Sequence, residues 1–457
     1  MKRLMATAIV IASVIFVALF PGAARADEVR DRIAAYLEPY VSSGNFSGSI
    51  MVVQSGRVVF RNSYGFSDIA AGSRNRANTK YHIASLSMQF TAAAVMRLVE
   101  QGRLSLDAKV SEFVADIPNG DRITIRHLLQ QNSGVPDRND LDGYDDLLNE
   151  HQTPESLVQF IRGHPPRFEP GGETQGEEHS AYDILALIIE RVTGLSFREA
   201  VRREVFAPLR MSDSGIDDDS PIGRRVAVGH VENGPVALQP ASVIHWSAKV
   251  GTGSAYSTIN DERRWLQGFF GDSFLSASNR QMMLDNGYGW ERDDEDGETT
   301  YFQNGEGPGF ASTMIYLPRL NAAIVVLSNF QIPVAGRIAW DIAALLQGKE
   351  YRQLELRASP LTAEEIAHVT GSYTFGSNFY RANGTLQLVA DGDGLMLRWP
   401  GWGPNSPVIV VDDHHFIDRH YWTRFSIADD ESGQASQLVF GRFTGQRSVE
   451  GDAGAAH

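Results

Sequence analysis

The sequence predicts an α+β body followed by a small all-β domain. Three features carry this: two β-hairpin patterns near residues 47–61 and 310–329, helical stripes between them, and short alternating strands from Gly371 to Phe443. In the first hairpin, the β-rich run Ser49-Ile50-Met51-Val52-Val53 meets a turn at Gln54-Ser55-Gly56 and returns through Val58-Val59-Phe60. Residues 86–101 read as a helix, with Phe90, Ala93, Ala94, Met96 and Leu98 suited to packing and Gly102 as its stop. A short helix from Ile125 to Gln131 precedes the turn Asn132-Ser133-Gly134-Val135-Pro136. Tyr182–Val192 is a further helix, with Leu185, Ile188, Ile189 and Val192 on one stripe and Gly194 after it. The second hairpin joins Thr313–Leu317 to Ala323–Leu327 through a turn at Pro318–Asn321. The acidic run Asp293–Glu298 reads as a solvated loop. It lacks the ligand spacing of a calcium loop.

The composition shifts after about residue 348. Leu361–Glu365 opens a short helix, and turns such as Asp391-Gly392-Asp393-Gly394 then punctuate a barrel or sandwich. The expected organisation is an export signal at 1–26, a main domain at 27–348, a linker at 349–363, a β domain at 364–450 and a frayed tail at 451–457. The signal reading rests on basic Lys2 and Arg3, the apolar run Leu4–Phe20, and small residues at Ala24-Arg25-Ala26. Cleavage after Ala26 would send the chain to the periplasm or outside, with no membrane attachment left.

The chain has 457 residues and no cysteine, which excludes disulfides, thiolate catalysis and cysteine-based zinc sites. Its formal charge of −15, about −18 once Lys2, Arg3 and Arg25 are removed, argues against nucleic acid or an anionic membrane as partner. A small molecule or peptide is the expected substrate.

The segment Tyr81-His82-Ile83-Ala84-Ser85-Leu86-Ser87-Met88-Gln89-Phe90-Thr91-Ala92 resembles the active-site segment of the serine β-lactamase-related hydrolases. These include class C β-lactamases, DD-peptidases, family VIII esterases and D-aminopeptidases. Further stretches agree in order across residues 30–345, among them Leu104–Asp107, Ile123–Leu129, Ser133–Pro136, Phe168–Gly171, Ile189–Gly194, Pro208–Met211, Tyr256–Thr258 and Gly307–Phe310. The resemblance implies a β-lactamase/transpeptidase-like fold, in which an antiparallel sheet is flanked by helices and a helical subdomain closes the active site. A trailing β domain is also familiar in relatives of the group.

All three catalytic motifs of that family are rewritten. The first is Ser-x-x-Lys, in which the lysine amine activates the serine hydroxyl one helical turn away. Ser85 stands at the serine position, but the third residue on is Met88, whose thioether cannot take a proton. No other Ser-x-x-Lys occurs, and after residue 26 the lysines are Lys80, Lys109, Lys249 and Lys349. The second motif, Tyr-x-Asn, aligns with Glu177-Glu178-His179 when anchored on Tyr182, and shifts by one residue when anchored on Gly171. The third, Lys-Thr-Gly or His-x-Gly, is Gln303-Asn304-Gly305, which keeps the glycine and loses the cation.

Three readings follow. In the leading one, Ser85 is a nucleophile toward an ester, amide or lactone, with His179 and Glu177 supplying proton transfer in place of the lysine and tyrosine. Backbone amides at Ser85 and on the Gln303 strand would form the oxyanion hole. Met88, Glu178, Gln303, Asn304 and Gly305 would line the substrate site. In the second, the protein is a catalytically dead binding protein using the same cleft. In the third it is a lyase or cyclase using Glu177 and His179 without a covalent step. An alternative reading of Ser85 is a helix cap only, and Lys249, Lys80 and His82 are minor alternatives for a base. No cofactor is expected. A metal at Glu177 and His179 has no supporting spacing.

Overall fold

A computed structural model of the chain describes residues 21–448, apart from 174–176, 234–236, 272, 296, 350–353, 402 and 404. The apolar run expected as an export signal, part of the linker and the tail lie outside the described residues. Helix α1 (Pro21–Ser42) carries the expected cleavage point after Ala26 within its first two turns. No helix among the described residues is long and apolar enough to cross a membrane.

The body is built on one antiparallel sheet of β1 (Gly48–Gln54), β2 (Arg57–Tyr64), β3 (Glu291–Glu295), β4 (Glu298–Gly307), β5 (Phe310–Leu317) and β6 (Ala322–Ser328). The spatial order is β3-β4-β5-β6-β1-β2, so both expected hairpins are present and join at the sheet centre. There β1 pairs with β6 in a register running from Gly48↔Ser328 to Gln54↔Ala322. Alternate residues of β1 feed two cores. Ile50 and Val52 pack with α1 and with the helix over Val334–Leu346, while Met51 and Val53 face the helical side. Burial on both faces explains why these strands read as continuous apolar runs.

The acidic run Asp293–Glu298 is not the loop expected from sequence. Asp293–Glu295 belong to the edge strand β3, which is exposed along its length, and Glu298 opens β4, while Asp296 lies outside the described residues. A row of carboxylates on an edge strand repels pairing with another chain, so the charge that resembles a loop here protects a sheet edge.

The helical side is led by α2 (Ser87–Glu100) and α3 (His179–Thr193), which pack against each other. α3 starts three residues before the apolar stripe at Tyr182, because Ser180 and Ala181 are buried without being strongly apolar. Helix α4 (Val334–Leu346) covers the other sheet face beside α1.

Helix α5 (Ala363–Val369) leads into eight strands: β7 (Gly371–Thr374), β8 (Thr385–Asp391), β9 (Gly394–Arg398), β10 (Ser406–Val410), β11 (His415–Asp418), β12 (Thr423–Asp429), β13 (Ala435–Phe440) and β14 (Phe443–Arg447). β7 pairs with both β8 and β14, which closes the sheet into a barrel and decides between the two expected forms. Leu386, Leu388, Leu397, Phe416, Phe425 and Leu438 fill its interior. The barrel sits against the body. Trp422 stacks on Tyr40 at 4.0 Å, and Arg419 Nε donates to Asn45 Oδ1 at 2.7 Å. His420 Nδ1 lies 2.9 Å from Glu232 Oε2.

Candidate active site

The Ser85 turn is held from three sides. Ser87 Oγ donates to the Ala84 carbonyl at 2.6 Å and accepts from the Ala255 amide at 3.0 Å. Ser312 Oγ, on β5, donates to the Ile83 carbonyl at 2.6 Å. Between these anchors Ala84 is forced to φ +47°, a left-handed conformation that costs an alanine roughly 1 kcal/mol or more. Residues 84–86 form a short 3-10 turn, and the α-helix begins only at Ser87, with Leu86 as its N-cap. Ser85 is therefore not a helix cap. Among the described residues neither its amide nor its hydroxyl has a hydrogen-bond partner.

Gly305, expected as the glycine of the third motif, has no room for a side chain. A Cβ there would lie 2.4 Å from the Ile83 carbonyl oxygen, 2.6 Å from Ser312 Oγ and 2.9 Å from the Ser85 nitrogen. The β4 backbone thus presses directly on the serine turn. Gly305→Ala is expected to displace Ser85 and to slow its reaction with an acylating probe at least about tenfold, since small misplacements at a reacting group carry large rate penalties. A labelling rate within twofold of wild type would contradict this.

Ser85 shares a cavity of about 540 Å³ with Glu177, His179, Asn304, Gly305 and Glu306, walled on the apolar side by Ile332, Pro333 and Trp340. Glu177 and His179, expected at the Tyr-x-Asn position, are linked to each other and to Asp137. His179 Nε2 lies 3.0 Å from Glu177 Oε2, and its Nδ1 lies 3.1 Å from Asp137 Oδ2. The His179 amide also donates to that Asp137 oxygen at 2.5 Å. Burial opposes a charge on His179, but the bonds to Asp137 and Glu177 outweigh it and hold its pKa above the ordinary histidine value. Hydrogen bonding to His179 holds the Glu177 carboxyl below its usual range. Asp137 is also held low, because His179 and the Asn139 amide outweigh its burial.

Glu178 is not a substrate-site residue. It is fully buried and turned inward, accepting from the Ser133 amide at 2.9 Å, Ser133 Oγ at 2.8 Å and the Gly134 amide at 2.8 Å. Alternation at the start of α3 sends Glu177 and His179 to the cavity and Glu178 into the Ser133-Gly134 turn. Burial raises its carboxyl pKa despite these bonds.

Met88 and Gln303 do not line the Ser85 cavity. Both are nearly buried, and they border an adjacent cavity of about 280 Å³ with Gln130, Gln131, Trp290 and Glu291. Glu177 borders both cavities. Burial, then repulsion from Glu177, pushes the Glu291 carboxyl up. No lysine or arginine lines either cavity among the described residues.

The minor alternatives for a base lie elsewhere. Lys80 Nζ donates to the Ile222 carbonyl at 3.0 Å. His82 stacks on Trp246 at 4.0 Å and pairs with Asp217 at 2.8 Å. Lys249 lies 5.9 Å over the Tyr144 ring, its pKa lowered to about 8 by burial and by repulsion from Arg138, and it does not line the Ser85 cavity.

Sequence reading missed Asp137, Glu306, Glu291 and Trp340. Asp137 directly follows the Ser133–Pro136 landmark and Glu306 separates two glycines, so both carried a positional signal. Trp340 lies on α4, far from any motif, and only packing brings it to the cavity.

A serine at the head of a helix, pressed by strand β4 of an antiparallel sheet beside a layer of helices, defines a fold of the β-lactamase-like serine-hydrolase type. The chain belongs to the beta-lactamase family, whose model matches residues 29–349. Protein flp of Staphylococcus aureus (strain MRSA252) is 28% identical over 326 residues, covering 66% of this chain and 63% of that protein. The match thus spans less than two thirds of that relative's length. The penicillin binding protein of Bacillus halodurans is 27% identical with a TM-score of 0.60, covering 69% of this chain and 98% of that one. The octameric penicillin-binding protein homologue of Pyrococcus abyssi has a TM-score of 0.63 at 22% identity and covers 91% of this chain and 99% of that one, so its likeness of fold extends beyond the family domain.

Proposed function

We propose that this protein is an exported hydrolase that passes the acyl group of an ester, amide or lactone through Ser85 to water. The observation that carries this is the unpartnered Ser85 facing, across one cavity, a Glu177–His179–Asp137 relay in place of the missing lysine and tyrosine. Both ring nitrogens of His179 face carboxylates, so Glu177 rather than His179 takes the serine proton. Ser85 Oγ bonds to the acyl carbon, and its proton moves to the Glu177 carboxylate. The tetrahedral intermediate collapses as Glu177 returns that proton to the leaving oxygen or nitrogen. Water then attacks the acyl-serine, giving its proton to Glu177, which delivers it to Ser85 Oγ as the acid departs. The amides of Ser85 and Glu306 are the donors for the oxyanion, since alternation of the β4–β5 ladder turns the Glu306 amide away from β5.

The pH dependence has a definite sign. While His179 is protonated it weakens Glu177 as a base, and loss of that proton restores basicity. The labelling rate of Ser85 should therefore rise with pH, with an apparent pKa above the ordinary 6.5 or so of histidine. A profile flat from pH 5 to 9 would remove the relay from the mechanism.

The charge of the site points to the substrate. Glu177, Glu291 and Glu306 line the two cavities, and the family's cationic position is occupied by neutral Gln303. A substrate carboxylate would meet like charge there, whereas an amine would be attracted. Amino-acid esters or anilides with a free amine should be turned over at least about tenfold faster, by kcat/KM, than their N-succinyl counterparts. Preference for the anionic compound would overturn this. A binding role without turnover is the second reading, favoured by the ion-paired state of His179.

A further inference from the structure

We infer that the barrel carries a divalent transition-metal site, with zinc the fitting ion, formed by His368, His414 and Asp429. These residues come from three separate elements: the last turn of α5, the turn before β11, and the end of β12. Their ligand atoms lie within 4.8 Å of one another. His368 Nε2 is 2.8 Å from Asp429 Oδ1, and His414 Nε2 is 3.2 Å from Asp429 Oδ2. With metal–ligand bonds of about 2.0–2.2 Å, tetrahedral donors are separated by roughly 3.3 Å, so only small side-chain movements would admit an ion. Two imidazole nitrogens with one carboxylate suit zinc better than calcium or magnesium, which prefer all-oxygen sets.

Two further observations point to a ligand. His414 Nδ1 is 3.3 Å from Asp413 Oδ1, so the ring is oriented by an outer carboxylate while Nε2 faces the site, as in carboxylate–histidine–zinc arrangements. The β12–β13 pairing shifts register between Ala428 and Asp429, and such a bulge re-aims the side chain that follows it. The backbone is also anchored at both histidines. The Ile427 amide donates to the His414 carbonyl at 2.9 Å, and Arg447 Nη1 donates to the His368 carbonyl at 3.3 Å. All three residues are at least partly accessible, which leaves positions for water on the metal. A bound ion would pin α5, at the entrance of the domain, to two barrel segments.

The test is calorimetric titration of the full chain with zinc chloride alone, after chelator treatment. Wild type is expected to bind one equivalent of zinc that His368→Gln and His414→Ala each weaken at least tenfold, with far-UV circular dichroism unchanged. Cobalt(II) in place of zinc should give visible d–d bands in wild type that the double variant lacks. Equal stoichiometry and affinity in wild type and both variants would overturn the site. Cobalt spectra identical in wild type and double variant would do the same even if one variant folded poorly.

Discussion

Ser85→Ala is expected to abolish the fluorophosphonate adduct seen by intact mass and to lower ester turnover at least about a thousandfold, as loss of a nucleophile does when catalytic groups act as a unit. The same substitution should leave stability within about 0.5 kcal/mol of wild type. The Ser85 side chain makes no hydrogen bond among the described residues, and the turn is held instead by Ser87, Ser312 and Gly305. An adduct that persists in the variant would place the nucleophile elsewhere. No adduct on wild type at any pH from 5 to 9 would leave the binding reading in its place.

Asp183→Ala is expected to destabilise the body by about 3–5 kcal/mol, measured by urea denaturation. Arg138 is 1% exposed and Asp183 fully buried, and the two form a direct ion pair. Arg138 Nη2 also donates to Thr252 Oγ1 at 2.9 Å, and its guanidinium lies 5.2 Å over the Tyr144 ring. Burial opposes the arginine's charge, but Asp183 outweighs it and keeps the pKa above the ordinary value. Removing the carboxylate leaves that charge buried without its partner, which is why the penalty exceeds that of an exposed bridge. The effect should reach the site, because Arg138 sits between Asp137 and Asn139, both within hydrogen-bond reach of His179. A loss under 1 kcal/mol would mean that water or another group compensates.

Local pattern was a good guide wherever one element stood on its own chemistry. The hairpins at β1–β2 and β5–β6, the helices α2 and α3 and the turn-rich strands of the last domain all announced themselves by period and punctuation. It failed at Asp293–Glu295, where charge on an edge strand has the composition of a loop. It could not separate Glu178 from its neighbours, because three polar residues in a row carry no record of which one turns inward. The barrel's two histidines and Asp429 were illegible for a related reason: they are 46 and 15 residues apart, and only strand pairing brings them together.

The sequence by itself determined the fold class, the place of Ser85 at a helix head, and the presence of Met88 rather than a lysine three residues on. These are properties of short windows, in which side-chain type and spacing act directly. Tertiary structure alone decided that His179 lies between the Asp137 and Glu177 carboxylates, and that Glu178 is a buried acceptor. It likewise placed Glu306 and Trp340 on the cavity with Ser85. Each of those outcomes depends on which residues distant in the chain share a few ångströms of space, and hydrogen bonds and desolvation act only at that range.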